Sequence, residues 1–380
     1  MSAFSQQGLS EVCDISMGQA PKGVSYNTSG EGYALIAGAG DFGELTPEPS
    51  KYTNAPTKLS RPGDLILCIR ATIGDRNWSD GEYCLGRGVA GLRARDEVLS
   101  QAYLWHWLDH AAPQLRAKGR GATFLQVSKR DIASLQIPLP PLAEQKRIAA
   151  ILDTADALRA KRRKSLAQLD TLLQSVFLDM FGDPVTNPMG WRVTRISEVA
   201  TVGTGSTPPR SEKEHFGGDV PWVKSTEVDW GTIDRTGECV TPSGVEAANL
   251  RLYPRGSIVL ALYGQGKTRA KSAVLGIEAT VNQACCAIVP TGDCSTAYLF
   301  ELLKQSYWRL RRASRGGNQK NLNMGIVKNF SVPVPPMELQ EHFSTVTESI
   351  ERRRGHQRAH LAELDTLFAS LQSRAFRGDL

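Results

Sequence analysis

The sequence predicts an α+β protein: two similar mixed α/β globules separated by two long helices packed as an antiparallel coiled coil. Three observations predict it. At 380 residues the chain is longer than one ordinary domain requires. A fixed register carries its first half onto its second, the signature of an internal repeat. Each half ends in a stretch whose apolar residues recur three and four apart. The composition, 41% hydrophobic and 22% charged, is that of a globular protein and excludes wholesale disorder. No run approaches the roughly 18 apolar residues of a membrane helix.

The repeat starts near the N-terminus, where Leu9-Ser10-Glu11-Val12 returns as Ile196-Ser197-Glu198-Val199. From Ala102-Tyr103-Leu104, which returns as Ala297-Tyr298-Leu299, the register stays constant to near the end. It places Arg116 on Arg311 and Arg120-Gly121 on Arg315-Gly316. Pro138-Leu139-Pro140-Pro141 falls on Pro333-Val334-Pro335-Pro336, and Leu166-Ala167-Gln168-Leu169 on Leu361-Ala362-Glu363-Leu364. The units divide as residues 1–141 (first globule), 142–185 (central helix), 186–336 (second globule) and 337–380 (C-terminal helix).

Each globule opens with short apolar runs between turn residues, which read as buried strands. Asp64 to Ile69 and Ser257 to Leu262 are the clearest, each just after a glycine. Cys285 and Cys286 lie in another such run, where strand geometry sends them to opposite faces. A helical stretch follows, Ser100 to Leu115 in the first copy and Ser295 to Arg312 in the second.

The prolines at 138, 140 and 141 then end any strand and suit the first turn of a helix. From Gln145 a seam runs through Ile148, Leu152, Ala155, Arg159, Arg162, Leu166, Leu169, Leu173, Val176 and Met180. Its copy runs from Gln340 through Phe343, Thr347, Ile350, Arg354 and Gln357 to Leu361, Leu364, Phe368, Leu371 and Ala375. Both are heptad seams with a polar middle, and each helix is the obvious partner of the other. A two-fold relation between the units makes the pair antiparallel, about 55 Å long at 1.5 Å per residue, with a globule at either end. Gly182 followed by Pro184 stops the first helix.

The net charge of +6 is uneven. Residues 1–141 are neutral, 142–185 carry +1, 186–336 carry +6 and 337–380 carry −1. The whole excess sits in the second globule and suggests a polyanion partner. Within each copy the basic residues cluster at matched places. The first cluster is Arg116, Lys118, Arg120, Lys129 and Arg130, with Asp131 as the one acid between His110 and Ala143. The second includes Arg311, Arg312, Arg315 and Lys320 and holds no acid between Leu302 and Met337. Lysine and arginine at phosphates supply nucleic-acid affinity, and Asn318 and Gln319 add side chains able to pair with adenine edges.

Ala261 to Thr268 matches a relaxed phosphate-binding loop, but such a loop must open a helix. Here Arg269 to Ile277 reads as loop and strand, so Lys267, Arg269 and Lys271 fit nucleic-acid contacts on a glycine-rich loop. Arg70 occupies the matched loop of the first copy. His106 and His110, and His356 and His360, are four apart without further zinc-like spacing, so they read as surface histidines rather than metal ligands. Tyr103 and Tyr298 read as core. The runs Arg159 to Lys164 and Arg352 to Arg354 read as solvated helix faces. No catalytic constellation is found. Seven cysteines without a Cys-x-x-Cys pair, and an N-terminus unlike a signal peptide, point to a reduced, cytoplasmic protein.

In sum of its motifs the chain resembles the specificity subunits of Type I restriction–modification systems. The resemblance rests on Ile137-Pro138-Leu139-Pro140-Pro141-Leu142-Ala143-Glu144-Gln145 and its copy Val332 to Gln340, and on the alternation of globule and helix. Gly205-Ser206-Thr207-Pro208-Pro209, Gly276 to Ala284 and Gly316 to Leu322 add to it. The first copy departs at Gly86-Arg87-Gly88, where the second has Asn282-Gln283-Ala284, and at Thr123-Phe124-Leu125, where it has Asn318-Gln319-Lys320. The resemblance implies two target-recognition domains, each reading half of a bipartite, asymmetric site on double-stranded DNA. It implies a helix pair that sets the gap and docks two methyltransferase subunits, which hold S-adenosylmethionine and methylate adenine N6. It further implies restriction subunits, motor–nucleases that use ATP and Mg. The chain itself would hold no cofactor and do no catalysis.

Overall fold

A computed structural model describes residues 4–122, 124–264, 266–314 and 321–380. The chain divides into two compact units, residues 1–163 with 359–380, and residues 164–358.

In the first unit the run Leu65–Cys68 is a strand with every residue buried. It lies inside an antiparallel four-stranded sheet with spatial order Cys13–Met17, Val89–Ala94, Leu65–Cys68, Arg76–Trp78. Register places Ile15, Leu92, Leu65 and Trp78 in one row. Helix Gln101–Ala117 shares the main core with Ile15, Leu65 and Leu92 and stacks Trp105 on Trp78. Ile66 falls in a smaller apolar cluster with Ile36, Leu85 and Val89. Those residues come largely from a second sheet, in which Tyr33–Ile36 and Cys84–Leu85 pair in parallel.

The second unit repeats this plan. Its main sheet has the order Ala200–Thr204, Cys285–Pro290, Ile258–Ala261, Ser272–Leu275, and one added parallel strand, Thr232–Ile233. The matching row is Val202, Ile288, Ile258 and Val274. Cys285 and Cys286 do fall in different apolar clusters, one for each face of the sheet. The expected single helix over Ser295 to Arg312 is two helices, Thr296–Gln305 and Tyr307–Ala313, with the break at Ser306. The first unit keeps one helix here and carries Pro113 inside it.

The prolines and the glutamine after them form one device, made twice. Tyr103 is fully buried and donates its hydroxyl to the Pro138 carbonyl at 2.9 Å. Tyr298 does the same to Pro333 at 2.8 Å. The Gln145 amide accepts from the Ser100 N–H (2.8 Å) and donates to the carbonyls of Val98 (3.0 Å) and Pro140 (2.9 Å). Gln340 repeats this with Ser295 (2.8 Å), Asp293 (3.2 Å) and Pro335 (2.9 Å). Prolines bring no N–H, so the buried amide answers the Pro140 or Pro335 carbonyl left over at the bend and ties it to the turn that starts the globule's helix.

The long helices are Leu142–Phe181 and Met337–Arg377, each about 60 Å by its rise. Gly182, at φ +76°, ends the first in the left-handed region. In the first unit Arg147 meets the Leu380 carbonyl and Arg159 pairs with Asp365, so the segments run antiparallel. In the second unit Phe181 packs edge-on against Phe343 while Asp170 pairs with Arg354, again antiparallel. The seam is shifted at one point. Phe177 and Phe181 are the buried residues where Val176 and Met180 were expected, and those two are only partly buried. Here the helix must also cover Tyr298 of the globule, so its stripe is wider than a coiled-coil seam.

His106 corrects a second expectation. It is 1% exposed, with Nε2 2.7 Å from Asp153 and its ring against Phe368. Arg159 and Arg354 likewise leave the solvated faces expected of their runs. Arg159 pairs with Asp156 and Asp365 and lies over Phe368, and Arg354 pairs with Glu351 and Asp170.

Candidate nucleic-acid interface

At one end of each main sheet the same loops meet. In the first unit the backbone after Leu65–Cys68 is held by the Ile69 N–H on Gly88 and by the Val127 N–H on Ile69. Residue 71 is an alanine at φ +63°, and its N–H donates to Leu125. In the second unit the Leu262 N–H donates to Ala284, the Leu322 N–H to Leu262, and Ala270 takes the same turn at φ +69°. Gly18 and Gly205 close the cluster from the first strand. A Cβ would lie 2.1 Å from the Gly86 carbonyl in one case and 1.5 Å from that of Val281 in the other. The two turns that differ in sequence are built differently. Gly88 must be glycine, because a Cβ would sit 2.1 Å from the Ala37 carbonyl. Asn282 instead caps its turn by accepting from the Ala284 N–H, and Gln283 bonds Thr207.

A matched arginine supports each loop. Arg116 donates from Nε to the Ile73 carbonyl at 2.7 Å. Arg311 donates to the carbonyls of Arg269 (2.9 Å) and Gly266 (2.8 Å) and to the Tyr307 hydroxyl (3.1 Å). Tyr307 in turn donates to the Lys267 carbonyl at 2.7 Å. Arg116, which also lies 3.8 Å from Asp75, and Arg311 are thus clamps that hold the loop in place, a role that the count of charges did not reveal. Trp308, 64% exposed beside Tyr307, and the exposed Phe124 under Arg70 are aromatic surface at the same places, to which the sequence assigned no role. Their only sequence signal is a large ring among basic residues.

The other expected residues divide by partner. Lys118 bonds Ser134, Arg120 lies 3.5 Å from Asp131, and Lys271 pairs with Asp229. Burial first, and Arg311 beside it second, hold the Arg269 pKa below its ordinary value. Lys129, Arg130, Lys267 and Arg312 are exposed and make no ion pair among the described residues. Arg315, Asn318, Gln319 and Lys320 lie outside the described residues.

After Lys267-Thr268 the chain turns through Ala270 into strand Ser272–Leu275, so the phosphate-loop match opens no helix. Among the described residues one group has metal-ligand atoms close together, Glu212, Glu214 and His215. The His215 ring already lies against the Glu212 carboxylate, and all three come from one tight turn. No helix among the described residues is long and apolar enough to cross a membrane.

Comparison with known proteins adds the following. The family model of the Type I restriction modification DNA specificity domain matches twice, over residues 3–169 and 188–354. A specificity subunit assigned to the type I restriction enzyme MjaX of Methanocaldococcus jannaschii is 38% identical over 163 residues, which are 43% of this chain and 38% of that relative. The match thus spans less than two fifths of that relative's length. The MjaVIII specificity subunit of the same organism is 25% identical over 333 residues, covering 80% of this chain and 76% of that one. Among solved structures, a Type-I restriction-modification system S subunit from M. genitalium matches with a TM-score of 0.62 at 14% identity, over 99% of this chain and 96% of that one. At that identity the likeness is one of fold. Two copies of one domain, matched in sequence and built on one plan, place the chain in the Type I restriction modification DNA specificity family.

Proposed function

We propose that each unit reads one half of a bipartite, asymmetric site on double-stranded DNA, and that the chain gives a Type I restriction–modification complex its address. The observation that carries this reading is the repeated clamp. Arg116 and Arg311 hold matched positions and fix a glycine-containing loop at the end of each sheet, which carries Arg70 in the first unit and Lys267, Arg269 and Lys271 in the second. Fixed loops with exposed Lys129, Arg130, Lys267 and Arg312 beside them supply phosphate contacts and a rigid frame for base contacts. In this reading the long helices set the gap between half-sites and dock two adenine-N6 methyltransferase subunits. Those subunits hold S-adenosylmethionine, restriction subunits bring ATP and Mg, and this chain carries no catalytic step. The names of the relatives, specificity subunits of type I restriction enzymes, support the reading.

The test combines the chain with its methyltransferase subunits and reads adenine methylation across a genome by long-read sequencing. The expected result is one split motif with a constant gap, and DNA binding that is weak for the chain alone. Sequence-blind binding of equal strength with and without those subunits would overturn the proposal.

A further inference from the structure

The two units serve as controls for one another, and one of their differences opens a space. Between helix Thr296–Gln305, the sheet at Val274 with its edge strand Thr232–Ile233, and the C-terminal helix, the second unit has an open groove of about 600 Å³. Its walls include Trp230, Val274, Phe300, Phe343, Thr347 and Arg354.

In the first unit the matched space is filled. The Trp78 indole stacks on Trp105 with centroids 5.1 Å apart, and the Arg76 guanidinium lies 4.2 Å from the Trp105 ring centroid while pairing with Asp109 at 2.6 Å. Strand register puts Val274 at the Trp78 position and Ser272 at that of Arg76. The repeat puts Phe300 for Trp105, Thr347 for Leu152 and Leu173 for Phe368. Each exchange removes volume on one side of the same space, and protein interiors do not ordinarily leave such space open. Thr347 lines this space where the first unit has the larger Leu152, and its hydroxyl oxygen is turned away from solvent.

We propose that this groove docks an indole-sized aromatic side chain carried by a partner polypeptide, with a basic residue beside it. The first unit supplies the template: what fills the space there is a tryptophan with an arginine two residues before it. The groove also runs along the C-terminal helix from Phe343 to Arg358, about 22 Å by helix rise, which is longer than a single ring. Glu301 and Glu351 on its walls are paired with Lys304 and Arg354, while Asp234, Glu348 and Arg358 have no ion-pair partner among the described residues, so the balance of charge along the groove is slightly negative and favours a cationic neighbour. The proposal is independent of the DNA reading above.

The test uses the full chain and three probes. One is a fluorescein-labelled peptide copying Gly74 to Asp80, one is the same peptide with alanine for its tryptophan, and one is N-acetyl-tryptophanamide. Anisotropy and saturation-transfer NMR report binding. The tryptophan peptide is expected to bind roughly tenfold or more tighter than either of the others. Val274→Trp, which refills the space as the first unit does, removes that advantage and leaves DNA binding unchanged. If melting shows that this variant is unfolded, Ala297→Leu narrows the groove from the helix side and takes its place. Equal binding of the two peptides, or full binding by the refilled variant, overturns the proposal. Equal affinity for N-acetyl-tryptophanamide makes the groove a small-molecule site and overturns the assignment to a polypeptide.

Discussion

The guanidinium of Arg311 donates to the carbonyls of Gly266 and Arg269, so Arg311→Ala releases the loop that carries Lys267. Hydrogen bonds from a charged donor are worth about 1.5–3 kcal/mol each. The expected result is roughly 10–100-fold weaker recognition of one half-site, with the other half unchanged, read from methylation over randomised sites. Lys267→Ala removes only an exposed charge. It is expected to weaken binding evenly across sequences and to flatten the salt dependence by about one unit. His106 gives a pH prediction. Burial outweighs the pull of Asp153 and holds its pKa below the ordinary histidine value. The unfolded chain therefore takes up this proton first. The stabilising contribution is complete above the unfolded value of about 6.5 and is lost as pH falls through the lower folded value. Thermal melts at pH 7.5 and 5.5 should show a drop in the wild type that shrinks in His106→Asn. Neither role was legible in the sequence. The ring that covers His106 is Phe368, far along the chain, and the carbonyls that Arg311 holds belong to a loop about forty residues earlier.

Elements were more legible where periodicity is strong. The seam from Gln145 to Ala155, and its copy around Phe343 and Ile350, is buried as the three-and-four spacing predicts. The stop at Gly182 also follows from the sequence. What the spacing did not show is that Gln145 and Gln340 open these seams as hydrogen-bonding groups. Each serves one carbonyl at the proline bend and one N–H and one carbonyl in the turn before the globule's helix. Gln340→Leu keeps the volume and leaves those groups unanswered, at about 1–3 kcal/mol for each one left buried. We expect a loss of about 3 kcal/mol in urea unfolding of the second unit, with Gln145→Leu doing the same to the first. The break at Ser306 escaped the reading because the helical pattern continues through it on both sides. The jog brings Tyr307 and Arg311 onto the loop.

At the scale of the molecule the repeat was the most legible feature, because it needs only the sequence compared with itself. Each long helix is shared by the two compact units, and passes from one to the other at Arg163 and at Arg358. If the pair sets the gap between half-sites, one heptad inserted in both helices near Lys161 and His356 adds about 10.5 Å. That is about three base pairs at roughly 34 Å per ten-base-pair turn. The expected outcome is two unchanged half-sequences with the preferred gap longer by about two to four base pairs, seen by methylation sequencing. A folded double-insertion variant with the original gap would remove the ruler from the account.

The division of the helices also sets an order of manufacture. The second unit has all of its residues once Arg358 has been made. The first has its globule early, but Phe368 and Phe376, which cover His106 and Tyr103, come only in the final stretch. At 5–20 residues per second that wait is about 10–40 s after Arg163. On a ribosome the globule begun first is therefore finished last, and for that interval its Tyr103 and His106 face stays uncovered.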